Sequence, residues 1–436
     1  MRKKILLFVW MHFLVFGIFG QTESEQTTIK SITLDEAIKL ALENNFSIKR
    51  EEISLEAEKR ASSHVWNELL PSLSISLNEE ILPPYYAAAN NASGIQHNFS
   101  FQGNIALSIS SDFFASIKKA KLDYEAKKIS CEEAVLDVIA QIKESYFSLI
   151  LAKQNLDFLK ENLENAKSQA AQNEERYRRG TLSELEYLSS KVSYEKLKPE
   201  FKAFQLAFEN DIRNFSLFLG QENKVIPEGS LENFIVTYTT YFTEEKMSSI
   251  LDAVKNGNIP SLLNLKKQIE AAQQNVLTTQ LAAYGLSANL SYGISPVIAG
   301  EDKGQINHSG SIGISLPLEN FLPFSKGADS IKTAKDSVAD LNLQLSEKSK
   351  TVKAEYTHII QSLSQKEESI TSLISFVNLA QKNYEATKFA YSKGMTEFLS
   401  MQNAAKENLE AKMNLQNELL ETLKLYILLE KLYGGK

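Results

Sequence analysis

The 436 residues hold one cysteine, Cys131, so no internal disulfide can staple the fold. Proline is sparse, at nine, and neither proline nor glycine occurs between Phe113 and Tyr177. An uninterrupted helix over that stretch would run to about 100 Å. Beyond the first twenty residues no apolar run is long enough to span a bilayer as a helix, which takes about 20 residues, so any crossing there must be made by strands. A basic footprint is missing too. Net charge is −7, and losing Arg2, Lys3 and Lys4 with the first twenty residues takes it to about −10, which argues against a general nucleic-acid binder.

Catalytic signatures are equally absent. His12, His64, His97, His308 and His358 show no metal-ligand spacing. Gly300 to Gly304 lacks the Lys-Ser/Thr ending of a phosphate loop, and no Ser-His-Asp or Cys-His pairing stands near a glycine elbow. The sequence gives no support to an enzyme, a cofactor or a metal.

Met1-Arg2-Lys3-Lys4 followed by the apolar run Ile5 to Gly20 reads as a signal peptide over 1–20 with cleavage after Gly20, the alternative being an uncleaved anchor. No cysteine lies near that point to carry a lipid. The remainder repeats itself. Tyr177-Arg178-Arg179-Gly180-Thr181 is answered by Tyr391-Ser392-Lys393-Gly394-Met395, each a glycine-marked break in a long helical pattern. The first repeat covers 21–220, with strands about 72–80 and 99–110 and a long helical hairpin about 113–219 whose tip lies near 180. The second covers 250–436, with strands about 286–295 and 310–318 and a hairpin about 326–433 whose tip lies near 394. Between them, 221–249 is a mixed equatorial segment with a β-rich stretch from Phe234 to Phe242. Thr33 and Glu36 form a capping-box pattern at the first helix, Asn44-Asn45 interrupts it, and Pro199 predicts a kink or break in the returning helix.

Residues 99–110 alternate strictly: Phe99, Phe101, Ile105, Leu107 and Ile109 against Ser100, Gln102, Asn104, Ser108 and Ser110. Leu286 to Ile294 and Ile312 to Leu318 do the same. An apolar face on so few strands needs apolar cover. A lipid-facing barrel supplies it and satisfies the backbone, but one chain has too few strands to close, so copies must pool them. A soluble four-stranded sheet packed on helices fits the periodicity equally well. Each repeat also has two shorter helical segments, of about 24 and 40 residues, that sum to its long one. Stacked end to end, they would form a partner of equal length.

At these motifs the chain resembles the TolC-like outer-membrane efflux proteins. The resemblance rests on the segment Ile32-Thr33-Leu34-Asp35-Glu36-Ala37-Ile38-Lys39-Leu40-Ala41-Leu42-Glu43-Asn44-Asn45, the strand after Leu70-Pro71, and the turns Arg176 to Thr181 and Tyr391 to Met395. It implies a mainly α fold with a membrane β-barrel portion, built from a duplicated helix-strand-strand-long helix-helix unit. It also implies a homotrimer with a 12-stranded barrel in outer-membrane lipid and an α-barrel in the periplasm. Its partners would be a periplasmic adaptor (membrane fusion) protein and an inner-membrane transporter. The chain would then be the passive exit duct of an efflux or type I secretion system. By the same resemblance, Arg176, Arg178, Arg179, Gly180, Thr181, Leu182, Lys393, Gly394 and Met395 would form the adaptor-docking tips and Glu385 a pore gate. From the residues alone, Gly180 and Gly394 also serve simply as left-handed turns, Arg178 and Arg179 complement a helix dipole, and Glu385 is an ordinary helix-surface acid. The chain departs from the family in lacking a second acid beside Glu385 and in pairing Met395-Thr396-Glu397 with Thr181-Leu182-Ser183. The different-class alternative is a periplasmic structural or adaptor protein with long hairpins and no pore.

Overall fold

The structure, a computed structural model, describes residues 30–82, 96–296 and 304–434. The leader reading for 1–20 lies outside them, as do most residues of the two strand-connecting loops.

Helix α1 (Leu34–Asn44) starts at the capping box: Glu36 N–H donates to Thr33 Oγ1 at 3.4 Å and Thr33 N–H to Glu36 Oε2 at 3.2 Å. Asn45 both ends α1 and caps α2 (Phe46–His64), its Oδ1 accepting from Ser47 N–H at 2.8 Å. A 3₁₀ turn (Val65–Leu69) and Pro71 then lead into β2 (Ser72–Leu82), which pairs with β3 (Gln96–Ser110). The short strand β1 (Lys30–Ile32) precedes α1. Helix α3 (Phe113–Arg178) is the long arm and α4 (Glu184–Phe218) the return. At the equator lie β4 (Val225–Pro227), α5 (Leu231–Tyr241) and α6 (Glu244–Asn256). The second repeat follows with α7 (Pro260–Tyr284), β5 (Ser287–Pro296), β6 (Ile306–Ser315), a 3₁₀ turn (Leu318–Phe321), α8 (Lys326–Ser392) and α9 (Phe398–Tyr433).

Three expectations need correction. The Phe234–Phe242 stretch is helical, not extended. Its β-branched and aromatic content suggested a strand, but Ser230 caps the helix and Leu231, Phe234, Tyr238 and Phe242 fall on one helical stripe that packs into the core. Tertiary burial overrides a propensity worth a few tenths of a kcal/mol per residue. Of the kink or break expected at Pro199, no break occurs: α4 continues through it, because one lost backbone bond is tolerated where the helix is held along its length by α3. The last strand occupies 306–315 rather than 310–318; Pro317 lacks the N–H a ladder needs and turns the chain into the 3₁₀ segment.

In each repeat the two shorter helices stack end to end beside the long one. Asn45 Nδ2 donates to the Phe218 carbonyl at 3.5 Å, joining the start of α2 to the end of α4, and Gly434 at the end of α9 abuts Pro260 at the start of α7. Neighbouring helices run in the order α2-α3-α7-α8 next to the sheet and α4-α3-α9-α8 toward the tips.

The main core sits where these stacks meet. Tyr146 and Phe147 of α3 are fully buried against Phe215, Phe234 and Tyr238. The Tyr146 hydroxyl faces the Ile32 carbonyl at 2.9 Å and the Glu228 carbonyl at 2.8 Å, and accepts from Glu228 N–H at 3.0 Å. It thereby ties the parallel β1–β4 pair to the long helix. Burial pushes its pKa up to about 12, so it stays protonated as a donor. Nearby, Lys143 Nζ donates to both Glu430 carboxylate oxygens at 2.6 and 2.5 Å, joining the two repeats.

Two outcomes follow for this core. Tyr146→Phe removes a buried hydroxyl bridge and should lower unfolding stability by about 1–2 kcal/mol, read as a denaturant midpoint shift. Glu133 on α3 is half-buried, and desolvation raises its pKa, opposed by the hydrogen bond from Asn264. A carboxyl whose folded pKa exceeds its unfolded value adds stability as pH falls through the folded pKa and loses it as pH rises. Glu133→Gln should therefore flatten the stability–pH curve above the unfolded carboxylate pKa, with the largest gain at neutral pH. An unchanged curve would rule this out.

Candidate functional site: a two-faced sheet and two helical tips

The four long strands form one antiparallel sheet in the order β2-β3-β5-β6. Register sorts most of its side chains by polarity. Leu73 pairs with Ile105, Ile105 with Tyr292, Leu107 with Leu290 and Leu290 with Ile312. One face thus gathers Leu73, Ile75, Leu77, Phe101, Ile105, Leu290, Ile294, Ile312 and Ile314, all exposed, with Ile312 at 86% and Leu73 at 78%. Among the side chains described, Glu79 and His308 are charged or imidazole members of that face, both toward the connecting loops; His308 Nδ1 lies 2.8 Å from Tyr292 Oη.

The opposite face carries Ser74, Ser76, Asn78, Gln102, Asn104, Ser108, Asn289, Ser291, Ser309 and Ser311, with Ala106, Gly293 and Gly313 between them. Among the side chains described it bears no charge. Its hydroxyls hydrogen-bond across strands, Ser287 to Ser315 and Ser291 to Ser311, both at 2.7 Å. Small groups that satisfy one another in this way make a smooth polar wall.

Strands β2 and β6 are open edges, with unpaired backbone groups. They run in opposite directions, since four antiparallel strands end as they began reversed. The helices share these edges: α2 and α4 flank one side of the subunit and α8 the other. Exposed apolar residues line both, Leu185, Leu188, Val192 and Leu206 on α4 and Ile374, Leu379 and Phe389 on α8.

At the far end both hairpins turn in the same way. Gly180 N–H donates to the Tyr177 carbonyl at 2.8 Å and Thr181 N–H to the Arg176 carbonyl at 2.9 Å. Gly394 N–H donates to the Tyr391 carbonyl at 3.0 Å and Met395 N–H to the Ala390 carbonyl at 2.9 Å. This is the Schellman pattern, and it needs a left-handed residue: φ is 74° at Gly180 and 73° at Gly394. Arg178 pairs with Glu174 at 2.5 Å and Arg179 with Glu175 at 3.5 Å, all on the surface. Leu182 leads to Ser183, whose Oγ caps α4 by accepting from Glu186 N–H at 3.3 Å. Lys393 lies over the Phe389 ring and Met395 is exposed.

The structure brings the two tips together, which sequence spacing could not show. Tyr391 is buried, its hydroxyl donating to Asn173 Oδ1 at 3.1 Å, and Arg176 stacks over its ring at 5.5 Å. Asn173 is fully buried and also accepts from Gln169 at 2.9 Å. Nothing in the sequence marks Asn173, because an amide in an Ala- and Gln-rich helix carries no periodic signal. Glu385 is exposed on α8 and accepts from Gln381 Nε2 at 3.0 Å within its own helix. Among the described residues, no helix is long and apolar enough to cross a membrane and no cluster of three metal-ligating side chains occurs.

The family model described as outer membrane efflux protein matches residues 37–208. A search of curated proteins finds no match. Among solved structures, the Campylobacter jejuni CmeC outer membrane channel is similar over 92% of this chain and 85% of its own, at 18% identity and a TM-score of 0.73. The Vibrio cholerae outer membrane protein VceC is similar over 92% of this chain and 96% of its own, at 15% identity and a TM-score of 0.67. The open-state MtrE outer membrane channel of Neisseria gonorrhoeae gives 92% and 88%, 16% identity and 0.68. The chain has the fold of the TolC-like outer membrane channels, and its first half carries the outer membrane efflux protein pattern. The resemblance drawn from the motifs is borne out.

The two faces of the sheet should answer oppositely to charge. Ile312→Arg should cost about 2–4 kcal/mol on a lipid face and sharply reduce membrane-integrated protein, while Ser311→Arg, one residue away, should leave integration intact. Fractionation of membranes from cells expressing each variant reads the difference.

Proposed function

We propose that the chain is the outer-membrane exit duct of a tripartite efflux or type I secretion machine, a passive conduit that a partner pump drives. The observation that carries this is the sheet with one apolar face, one polar face uncharged among the side chains described, and two open edges of opposite direction. Pairing β6 of one copy with β2 of the next is antiparallel and can continue round a closed ring, leaving no edge. Two copies would give eight strands, a bore that side chains fill. Three give twelve, about 24 Å between opposite backbones for a strand spacing of about 4.8 Å and a tilt of about 40°. The apolar face then meets outer-membrane lipid and the Ser/Asn/Gln face lines water.

The same ring sets α8 of one copy beside the α2–α4 stack of the next, covering the apolar stripes on both edges. The helices extend as a periplasmic tunnel, and the six hairpin tips of a trimer form its far mouth. A periplasmic adaptor docks there on Arg176, Arg178, Arg179, Gly180, Thr181 and Leu182 of one hairpin and Lys393, Gly394 and Met395 of the other, joining the duct to an inner-membrane transporter. Glu385, just over two helical turns before the second tip, is the acidic residue proposed for the gate.

Purified protein should form detergent-dependent trimers that give discrete conductance steps in planar bilayers; a monomer soluble without detergent would overturn the reading. Arg178→Ala with Arg179→Ala should weaken crosslinking of the adaptor to the tip several-fold and leave bilayer conductance unchanged.

A further inference from the structure

The two repeats differ where the second strand of each pair enters its long helix. In the first, only Ser111 and Asp112 separate β3 from α3; in the second, the ten residues Leu316 to Ser325 separate β6 from α8. This added loop is held firmly. Asn320 Nδ2 donates to the Ala283 carbonyl at the end of α7 at 2.8 Å, Ser325 Oγ donates to the Asn320 carbonyl at 2.9 Å, and Gly327 of α8 abuts the Asn320 side chain. Phe321 leans on the Tyr284 ring of α7 at 5.1 Å and stays half exposed, while Leu318 and Leu322 are well over half exposed and Phe324 is 98% exposed. A pinned loop that presents four large apolar groups is built to be covered.

The other edge of the subunit has its counterpart. Trp66, Leu69 and Leu70, in the turn that enters β2, are also exposed. Antiparallel pairing of β6 with a neighbour's β2 fixes what meets what, because the chain leaving one strand lies beside the chain entering the other. The 316–325 loop must then run alongside residues 65–71 of the adjacent copy, at the foot of the barrel.

We infer that the Leu318–Phe324 loop is an intersubunit clasp, seating its apolar side chains on Trp66, Leu69 and Leu70 of the next copy and locking the ring where strands give way to helices. The occupant is a second copy of this chain, and the inference rests on the ring reading above. The clasp exists once per subunit, so a trimer carries three identical contacts. Because the loop is already ordered by Asn320, docking costs little conformational entropy.

The chain itself supplies clean probes. Trp66 is the sole tryptophan beyond residue 20, and Cys131 the sole, buried cysteine. In a Cys131→Ala background, Asn67→Cys with Leu322→Cys should crosslink with a short bismaleimide into covalent dimers and trimers, and neither single variant should yield covalent trimers, although both still assemble. Phe321→Ser with Phe324→Ser should red-shift Trp66 emission and lower the temperature at which trimers dissociate in SDS. Intact trimers that do not crosslink, with Trp66 quenched by brominated lipid instead, would overturn the clasp and assign the loop to the membrane. Protein that never forms trimers would overturn both the clasp and the ring.

Discussion

Everything in this molecule is organised around a sheet that cannot remain as a single subunit leaves it. Among the side chains described, its register gathers the large aliphatic and aromatic groups of four strands on one face and mostly small hydroxyls and amides on the other. Burying an Ile or Leu side chain is worth about 1.5–3 kcal/mol, and an open strand edge leaves a row of unmet backbone groups. Both deficits are of the kind a lipid-embedded ring removes together. The helical part has its own core and joins, and it carries the same two edges down to the tips.

Duplication makes such a subunit possible, but the repeats are not equivalent. The first is strapped to the equator by the β1–β4 pair through Tyr146. The second is linked through Lys143 and Glu430, and it alone carries the pinned apolar loop under the sheet. At the far end the two turns share one backbone geometry yet differ in chemistry, Arg178-Arg179 on one and Lys393-Met395 on the other. Tyr391 and Asn173 bind the two hairpins to each other close behind those turns.

Much of this was legible in sequence because the signals were strong and periodic. Strict alternation in 99–110 and 286–294 announced two-faced strands, and the absence of proline and glycine from 113 to 177 announced the long arm. What remained hidden was whatever depended on contact between distant segments. The 234–242 helix was masked by its own β-like composition, and its helical stripe becomes visible only once Tyr146 and Phe147 are there to receive it. The order of helices across the subunit, and hence its two edges, is not a sequence property. Leu318 read as the end of a strand because alternation continued past Pro317, although the backbone pairing had already stopped at Ser315. Asn173 has no local signature at all.

The central claim, that the sheet is the wall of a water-filled pore, is tested most directly by residue-by-residue thiol access along β6. Single cysteines would be placed from Ser309 to Ser315 in a Cys131→Ala background, and bilayer conductance followed as a charged, membrane-impermeant thiol reagent is added. The account expects block to alternate: conductance falls for cysteines at 309, 311, 313 and 315 and stays unchanged for those at 310, 312 and 314. Uniform reaction along the strand, or modification with no effect on conductance, would contradict it.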